Sequence, residues 1–154
     1  MGKVPPSRGQ SWALYGFALA YRHTGKQEYL DTAKKVAHYC IANIGADGIV
    51  PLDFRQPPEP AYEDSCAACV IASGLLELAG LVPELEKDLY RNAAVRILKA
   101  VDEKRADWSE SCDAIVQNCS PSYHNQVHHI TMSYADYYFI EAVYRLKGIG
   151  KPMW

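Results

Sequence analysis

The stretch EDSCAACVIASGLLELAG, residues 63–80, is small or apolar at almost every position after its acidic start. A helix that is apolar all round is buried on most of its sides, because no face of it favours water. Asp64 or Ser65 is placed to begin this helix, with Asp64 as its N-cap, and Gly80 is placed to end it. The sequence therefore predicts a central helix that other elements surround.

Amphipathic patterns on both sides of this stretch predict the surrounding helices. Residues 9–23 carry apolar side chains at near-helical spacing, with Ser7 as the expected N-cap and Gly25 as the stop. Gln27–Asn43 repeats the pattern after a short turn, so the two helices must form an antiparallel hairpin. Two further helices are predicted, from Pro83 to Val101 and from Met132 to Lys147, the latter ended by Gly148.

The fold class that follows is all-α, built from stacked helical hairpins. Each unit has a buried helix, a short turn, a more polar helix and a long irregular segment, which is the scale of a helical-pair repeat. The irregular segments cover residues 44–62 and 105–131, and segments of this length usually have a function. Both lead into the first helix of a pair. They are therefore expected on the side where the first, third and fifth helices begin.

Length and composition bound the class of protein. The 154 residues fit one domain, 1–154, and 49% hydrophobic with 22% charged residues is typical of a globular protein. A net charge of −2 provides no basic stripe for nucleic acid or an anionic membrane. No apolar run approaches the roughly 20 residues of a membrane span, and the start has no apolar signal region. We expect a cytoplasmic protein with no nucleic-acid or membrane partner.

The cysteines and histidines favour neither a disulfide nor a metal site. Cys66 and Cys69 form a C-x-x-C without a second such pair, and an odd total of five cysteines suits buried thiols. His124, His128 and His129 are close in sequence, but no helix is predicted there to align them on one face. Histidines that form hydrogen bonds or contact a ligand are the favoured interpretation, and metal ligands are the less favoured one.

SRGQSW, residues 7–12, places Arg8 and Trp12 four residues apart and so on one face of the first helix. A guanidinium can bind a carboxylate through two parallel hydrogen bonds while an indole supports a ring, which suits a sugar acid. The same pair is equally compatible with packing at a helix end, and the spacing leaves both interpretations open. Asp64 and Asp53 are most simply explained as a helix cap and a turn residue.

The aromatic run SYADYYF, residues 133–139, spreads Tyr134, Tyr137 and Tyr138 around the last helix, and packing in the core is their expected role. The chain contains no G-x-S-x-G, P-loop or Rossmann fingerprint, which argues against serine-esterase and nucleotide chemistry. The candidates for chemistry are therefore the polar residues near the beginnings of the helices.

Three ordered segments resemble one family of enzymes. In this order and at these intervals they resemble the back half of unsaturated glucuronyl hydrolases, glycoside hydrolase family 88. The unsaturated rhamnogalacturonyl hydrolases of family 105 are close behind. The resemblance runs from Ser7 to about Lys147. The segments are SRGQSWALYGFALAYRHTGKQEYLDTAKKVAHY (7–39), PLDF with EDSCAACVIASGLLEL (51–54 and 63–78) and SYADYYFIEAVYRL (133–146).

The resemblance implies a partial (α/α)6 toroid, the fold of the six-hairpin glycosidases, with a cleft at one end. It implies hydration of the C4=C5 double bond of a terminal unsaturated uronic acid in oligosaccharides released by lyases, with an aspartate as general acid and base and no cofactor. The R-G-Q-x-W motif falls on Arg8, Gln10 and Trp12, which implies that these residues line the uronate subsite. His124 is a further candidate for contact with the substrate.

The chain also departs from this family. The family's catalytic aspartates lie upstream of the R-G-Q-x-W motif, and this chain begins almost on that motif. Five predicted helices fall short of twelve, so the inner faces of the first, third and fifth helices are expected to be exposed. We therefore expect a homo-oligomer or a missing N-terminal half. The alternative function is a non-catalytic, self-associating module that retains at most uronate or carbohydrate binding. Residues 148–154 are predicted to form a flexible tail.

Overall fold

The computed structural model describes residues 6–149, and in this range the chain forms five α-helices and no named strand. The all-α prediction is confirmed, with helix ends within a few residues of those expected. None of these helices is long and apolar enough to cross a bilayer. Of the predicted tail, residues 150–154 lie outside the described range. The helices are α1 (Ser7–Thr24), α2 (Gln27–Asn43), α3 (Ser65–Ala79), α4 (Glu84–Arg105) and α5 (Ser133–Lys147).

Helix α3 lies at the centre of the fold, as its sequence predicts. Thirteen of its fifteen residues are buried, and it packs against α1, α4 and α5 and also touches α2. Small side chains along α3 allow neighbours to approach from several directions. The expectation that the inner face of the third helix would be exposed is therefore wrong, because α1, α5 and the long loops cover it.

The contact between α1 and α3 is tight at Gly74. A Cβ atom at this position would lie 2.9 Å from Cγ of Leu14 and 3.2 Å from the backbone nitrogen of Tyr15. Backbone atoms in a packed helix cannot move aside at low cost, so the contact depends on a residue without a side chain. Gly74 thus sets how closely α1, which carries Arg8 and Trp12, lies against the core.

The beginnings of the first and third helices are stabilised in different ways. Asp64 is the N-cap of α3, and its side chain accepts the backbone N–H of Cys66, which confirms the prediction. Ser7 is not the N-cap of α1, because Pro6 holds that position and Ser7 is the first helical residue. The hydroxyl and backbone N–H of Ser7 both donate to the carbonyl of Leu52, at 2.9 and 3.1 Å. A long loop therefore satisfies the donors at the start of α1.

All five cysteines are free thiols, and four of them are buried. Burial raises the pKa of the Cys40 and Cys119 thiols to about 12. Thiols with such a high pKa stay protonated and unreactive at neutral pH. The four buried cysteines therefore pack as small apolar side chains, whereas the half-buried Cys112 donates to the carbonyl of Ala114.

We expect Gly74→Ala to lower the free energy of unfolding by about 1–3 kcal/mol, because the added methyl group overpacks the contact between α1 and α3. Urea denaturation followed by circular dichroism measures this change. Gly16→Ala is the matched control, since Gly16 lies in α1 and a Cβ there meets nothing within 4 Å. Alanine at Gly16 should leave stability unchanged or raise it by up to about 1 kcal/mol. Equal stability of the two variants would contradict the tight contact.

Candidate functional site

The beginnings of α1, α3 and α5 meet the two long loops on one side of the fold, as the hairpin geometry predicts. The first loop covers residues 44–64 and the second covers residues 106–132. The second loop reaches the start of α3, where the backbone N–H of Ser65 donates to the carbonyl of Asn118 at 3.2 Å. The polar residues predicted near the beginnings of the helices therefore lie where the loops converge.

Arg8 is held by groups of the protein itself. Its Nε donates to Oδ2 of Asp64 at 2.9 Å, and its Nη2 donates to Oδ1 at 2.7 Å. Nη2 also donates to the carbonyl of Ser120 at 2.9 Å, and Nη1 donates to the hydroxyl of Tyr134 at 2.8 Å. Within residues 6–149, four of the five N–H groups of Arg8 thus have an acceptor, and the second N–H of Nη1 does not. The guanidinium of Arg8 thus makes its two parallel hydrogen bonds to the carboxylate of Asp64, and not to the carboxylate of a ligand.

Asp64 is fully buried and accepts hydrogen bonds from three parts of the chain. Besides the two bonds from Arg8, its Oδ1 accepts the backbone N–H groups of Cys66 and Ser120, at 3.2 and 3.4 Å. Burial acts to lower the pKa of Arg8, but the hydrogen bond and negative charge of Asp64 outweigh it and raise that pKa. The carboxylate therefore joins α1, α3 and the second loop while Arg8 keeps its charge.

Three aromatic residues form an open surface beside Arg8, and we call Trp12, Tyr134 and Tyr138 the aromatic wall. Trp12 and Tyr134 are each 39% exposed, with ring centroids 6.4 Å apart. Tyr138 meets Trp12 edge-on at 5.2 Å and packs on the core, while Tyr137 is half-buried against Tyr138. The expectation that Tyr134 packs in the core is wrong, because its hydroxyl reaches Arg8. Tyr134 and Tyr138 are four residues apart, as Arg8 and Trp12 are, so each pair shares one face of its helix. This spacing is the sequence signal that could have predicted the aromatic wall.

The other two predicted substrate contacts are placed differently. Gln10 is half-buried in the first turns of α1. His124 is exposed, and its ring meets Tyr123 edge-on at 5.6 Å. Tyr123 in turn packs on Tyr62, whose ring stacks on His128 at 3.7 Å. These contacts place His124 with a cluster that joins the two loops, and the roles of His124 and Gln10 as substrate contacts stay predictions.

Two further carboxylates on this side stabilise loop conformation. Asp53 accepts the backbone N–H of Arg55 at 2.8 Å, as expected for a turn residue. Asp136, in the first turn of α5, accepts the backbone N–H of Val116 in the second loop at 2.7 Å. In the described range, no group of three or more histidine, cysteine or acidic residues is arranged to hold a metal ion.

Glu63, next to Asp64, binds the end of α4. Its Oε1 and Oε2 accept Nε and Nη2 of Arg105, at 2.5 and 2.9 Å, and Oε1 also accepts the amide of Asn118. Burial acts to raise the pKa of Glu63, but the bonds from Arg105 and Asn118 outweigh it, so the pKa lies below its usual value of 4.5. The neighbouring carboxylates of Glu63 and Asp64 thus bind Arg105 and Arg8. Both carboxylates also bind the second loop, through Asn118 and Ser120.

The lowered pKa of Glu63 predicts an acid-sensitive contribution to stability. This contribution is present above the usual pKa of 4.5 and is lost as the pH falls through the lower pKa of the folded state. We expect the free energy of unfolding to fall more steeply between about pH 5 and 3 in the native chain than in Glu63→Gln, as measured by urea denaturation across that range. Glu110→Gln, which changes an exposed carboxylate, is the control. Parallel curves for the native chain and Glu63→Gln would refute the role of Glu63.

Comparison with known proteins gives consistent matches along the chain. No family model matches it. The unsaturated glucuronyl hydrolase of Bacillus sp. (strain GL1) is 35% identical over 148 residues, which are 92% of this chain and 39% of that protein. The crystal structure of unsaturated glucuronyl hydrolase from Bacillus sp. GL1, responsible for the degradation of glycosaminoglycan, matches with a TM-score of 0.86 and 34% identity over the same shares.

A more distant structure supports the same fold. It is a variant of the unsaturated glucuronyl hydrolase from Streptococcus agalactiae complexed with dGlcA-GalNAc6S, with a TM-score of 0.86 and 22% identity over 96% of this chain and 41% of that one. The expected partial α/α toroid is therefore confirmed. The chain spans about two fifths of the length of the relatives it matches. Over nearly its whole length it is thus similar to the C-terminal part of unsaturated glucuronyl hydrolases.

Proposed function

We propose that this chain is the uronate-binding part of a glycoside hydrolase of the unsaturated glucuronyl hydrolase type. The reaction is hydration of the C4=C5 bond of a terminal unsaturated uronic acid in oligosaccharides produced by lyases. The observation that carries the proposal is the arrangement of Arg8, Trp12 and Tyr134, in a chain 35% identical over 148 residues to a protein of that name. A cytoplasmic location and a kinship with family 105 are parts of the same proposal.

The geometry of the site suits a uronate. The second N–H of Arg8 Nη1 and the hydroxyl of Tyr134 lie together and can both donate to a carboxylate. That hydroxyl donates to the sulfur of Met132 at 3.1 Å, a weak acceptor that a carboxylate oxygen can replace. The exposed indole of Trp12 offers an apolar surface for the ring of the sugar.

The chemical step needs a carboxyl group beside the double bond. Such a group delivers a proton to C4, and the carboxylate that remains accepts a proton from the water molecule whose oxygen adds to C5. The hemiketal formed at C5 then opens and releases the rest of the oligosaccharide. Asp53, Asp64 and Asp136 already hold backbone N–H groups or Arg8. We assign the proton transfer to an aspartate of an N-terminal half, and the reaction requires no metal or organic cofactor.

A covering partner, either a second copy of the chain or an N-terminal half, is a further part of the proposal. An apolar groove of about 500 Å³ lies between α4 and α5. Trp108, Ile140 and Tyr144 at this groove are 62, 41 and 52% exposed. In residues 6–149, α2 and α4 pack along α1 and α3, whereas α5 packs along α3 and makes only a slight contact with α4. An exposed apolar surface of this kind favours association.

The second candidate function is a non-catalytic, self-associating helical module that retains at most uronate or carbohydrate binding. The engagement of Asp53, Asp64 and Asp136 in local structure favours it, since it leaves them stabilising the fold. The two candidates differ in whether an N-terminal half restores hydration. Both are compatible with the binding of a uronate by the chain alone.

We expect the chain alone to bind an unsaturated chondroitin disaccharide and not to hydrate it. Isothermal titration calorimetry measures binding, and the ultraviolet absorbance of the conjugated double bond measures hydration. Trp12→Ala should weaken binding by about tenfold or more, because the sugar loses its aromatic support. Trp108→Ala is the matched control, since Trp108 is an exposed tryptophan in the groove between α4 and α5. It should leave binding unchanged.

Three other results would change the proposal. Absence of binding at millimolar disaccharide would overturn it. Loss of absorbance with the chain alone, abolished by Arg8→Ala, would move the catalytic carboxylate into this chain. Addition of the N-terminal half of the Bacillus relative should restore hydration, and binding without hydration in that mixture would favour the non-catalytic module.

A further inference from the structure

The carboxylate of Asp64 makes more bonds than a helix cap requires. A cap needs one oxygen for a backbone N–H of the first turn, and Oδ1 serves Cys66 in this way. Both oxygens also receive Arg8, through Nε at 2.9 Å and Nη2 at 2.7 Å. Two parallel bonds fix the plane of the guanidinium as well as its position. The Asp64 side chain is 0% exposed, so water does not compete for these bonds.

This arrangement leaves only the Nη1 group of Arg8 in a position to bind a ligand. The edge formed by Nε and Nη2 is bound to Asp64, and Nη2 also binds the carbonyl of Ser120. Nη1 points instead to the hydroxyl of Tyr134, which is 39% exposed, while the Arg8 side chain as a whole is 13% exposed. A carboxylate can therefore meet Arg8 only at Nη1, next to Tyr134 and one helical turn from Trp12.

Asp64 also limits the charge that Arg8 presents. A buried arginine without a partner exerts a strong field in a medium of low dielectric constant and attracts anions of any shape. With Asp64 in contact, the pair is close to neutral, and recognition depends on the direction of the remaining N–H. A carboxylate held at a fixed distance from the ring on Trp12 satisfies that direction.

We propose that Asp64 is a positioning residue, which turns Nη1 of Arg8 towards the ligand and so gives the site its preference for a sugar that carries a carboxylate. This inference rests on the proposed binding of uronates. It assigns to Asp64 a role in selectivity besides its role as the N-cap of α3.

The test compares two ligands on the native chain and on Asp64→Asn. The ligands are an unsaturated chondroitin disaccharide and the methyl ester of its uronic acid, which keeps the ring and loses the charge. A hydrogen bond from Arg8 to a carboxylate predicts that the native chain prefers the acid by about tenfold or more in calorimetry. Asp64→Asn keeps the size of the side chain and one cap acceptor, but its amide cannot accept from Nε. The preference should fall to about threefold or less, with little change in affinity for the ester.

A control separates positioning from stability. Ile97→Val, which removes one methylene from a fully buried side chain of α4, is expected to destabilise the fold away from α1, and it should keep the preference for the acid. If the role of Asp64 is merely structural, Asp64→Asn would weaken the binding of the acid and the binding of the ester alike. If Asp64→Asn does not fold, Asp64→Glu tests the same point, because it keeps the charge and displaces the guanidinium by one methylene.

The outcomes are distinct. If Asp64→Asn prefers the acid over the ester as strongly as the native chain does, the inference is overturned and the proposed function stays intact. The same holds for Asp64→Glu where only that variant folds. A native chain that binds neither ligand overturns the proposed function, and the inference with it.

Discussion

The paired hydrogen bonds between Arg8 and Asp64 are the interaction on which the rest of the site depends. Arg8 lies in the first turn of α1 and Asp64 caps α3, and through Ser120 and Tyr134 the same guanidinium reaches the second loop and α5. Breaking a buried pair of this kind typically costs about 3–5 kcal/mol, because a charge is left without a partner. One ion pair therefore fixes the relative positions of three helices and a loop at the place where the aromatic wall stands.

A second buried cluster joins the same three helices at their other end. Glu77 of α3 is fully buried and lies between Arg22 of α1, at 2.5 Å, and Arg145 of α5. Arg145 also donates to the hydroxyl of Tyr15, which donates in turn to Glu141. Apolar burial holds α3 between its neighbours, and ion pairs at both ends keep the neighbours from sliding along it. The geometry of the wall follows from these constraints together.

Much of this fold can be predicted from sequence, because the relevant signals are local. The apolar stretch of α3 predicts its burial, and the long segments predict where the loops gather. The bond between Arg8 and Asp64 has no such signal. The two residues are 56 positions apart, and each has a sufficient local explanation as a helix-end arginine or an N-cap. The contact of Tyr134 with Arg8 likewise has no local signal. Tyr134 lies in a run of several aromatic residues, and only the packing of α5 on α3 decides which of their rings faces Arg8.

The most direct test is a crystal structure of the chain with an unsaturated chondroitin disaccharide bound. We expect the uronate carboxylate to lie within hydrogen-bond distance of Arg8 Nη1 and the Tyr134 hydroxyl, with the sugar ring on Trp12 and the bonds from Arg8 to Asp64 intact. A disaccharide bound elsewhere, or an Arg8 that leaves Asp64 to bind the carboxylate through Nε and Nη2, would contradict this expectation.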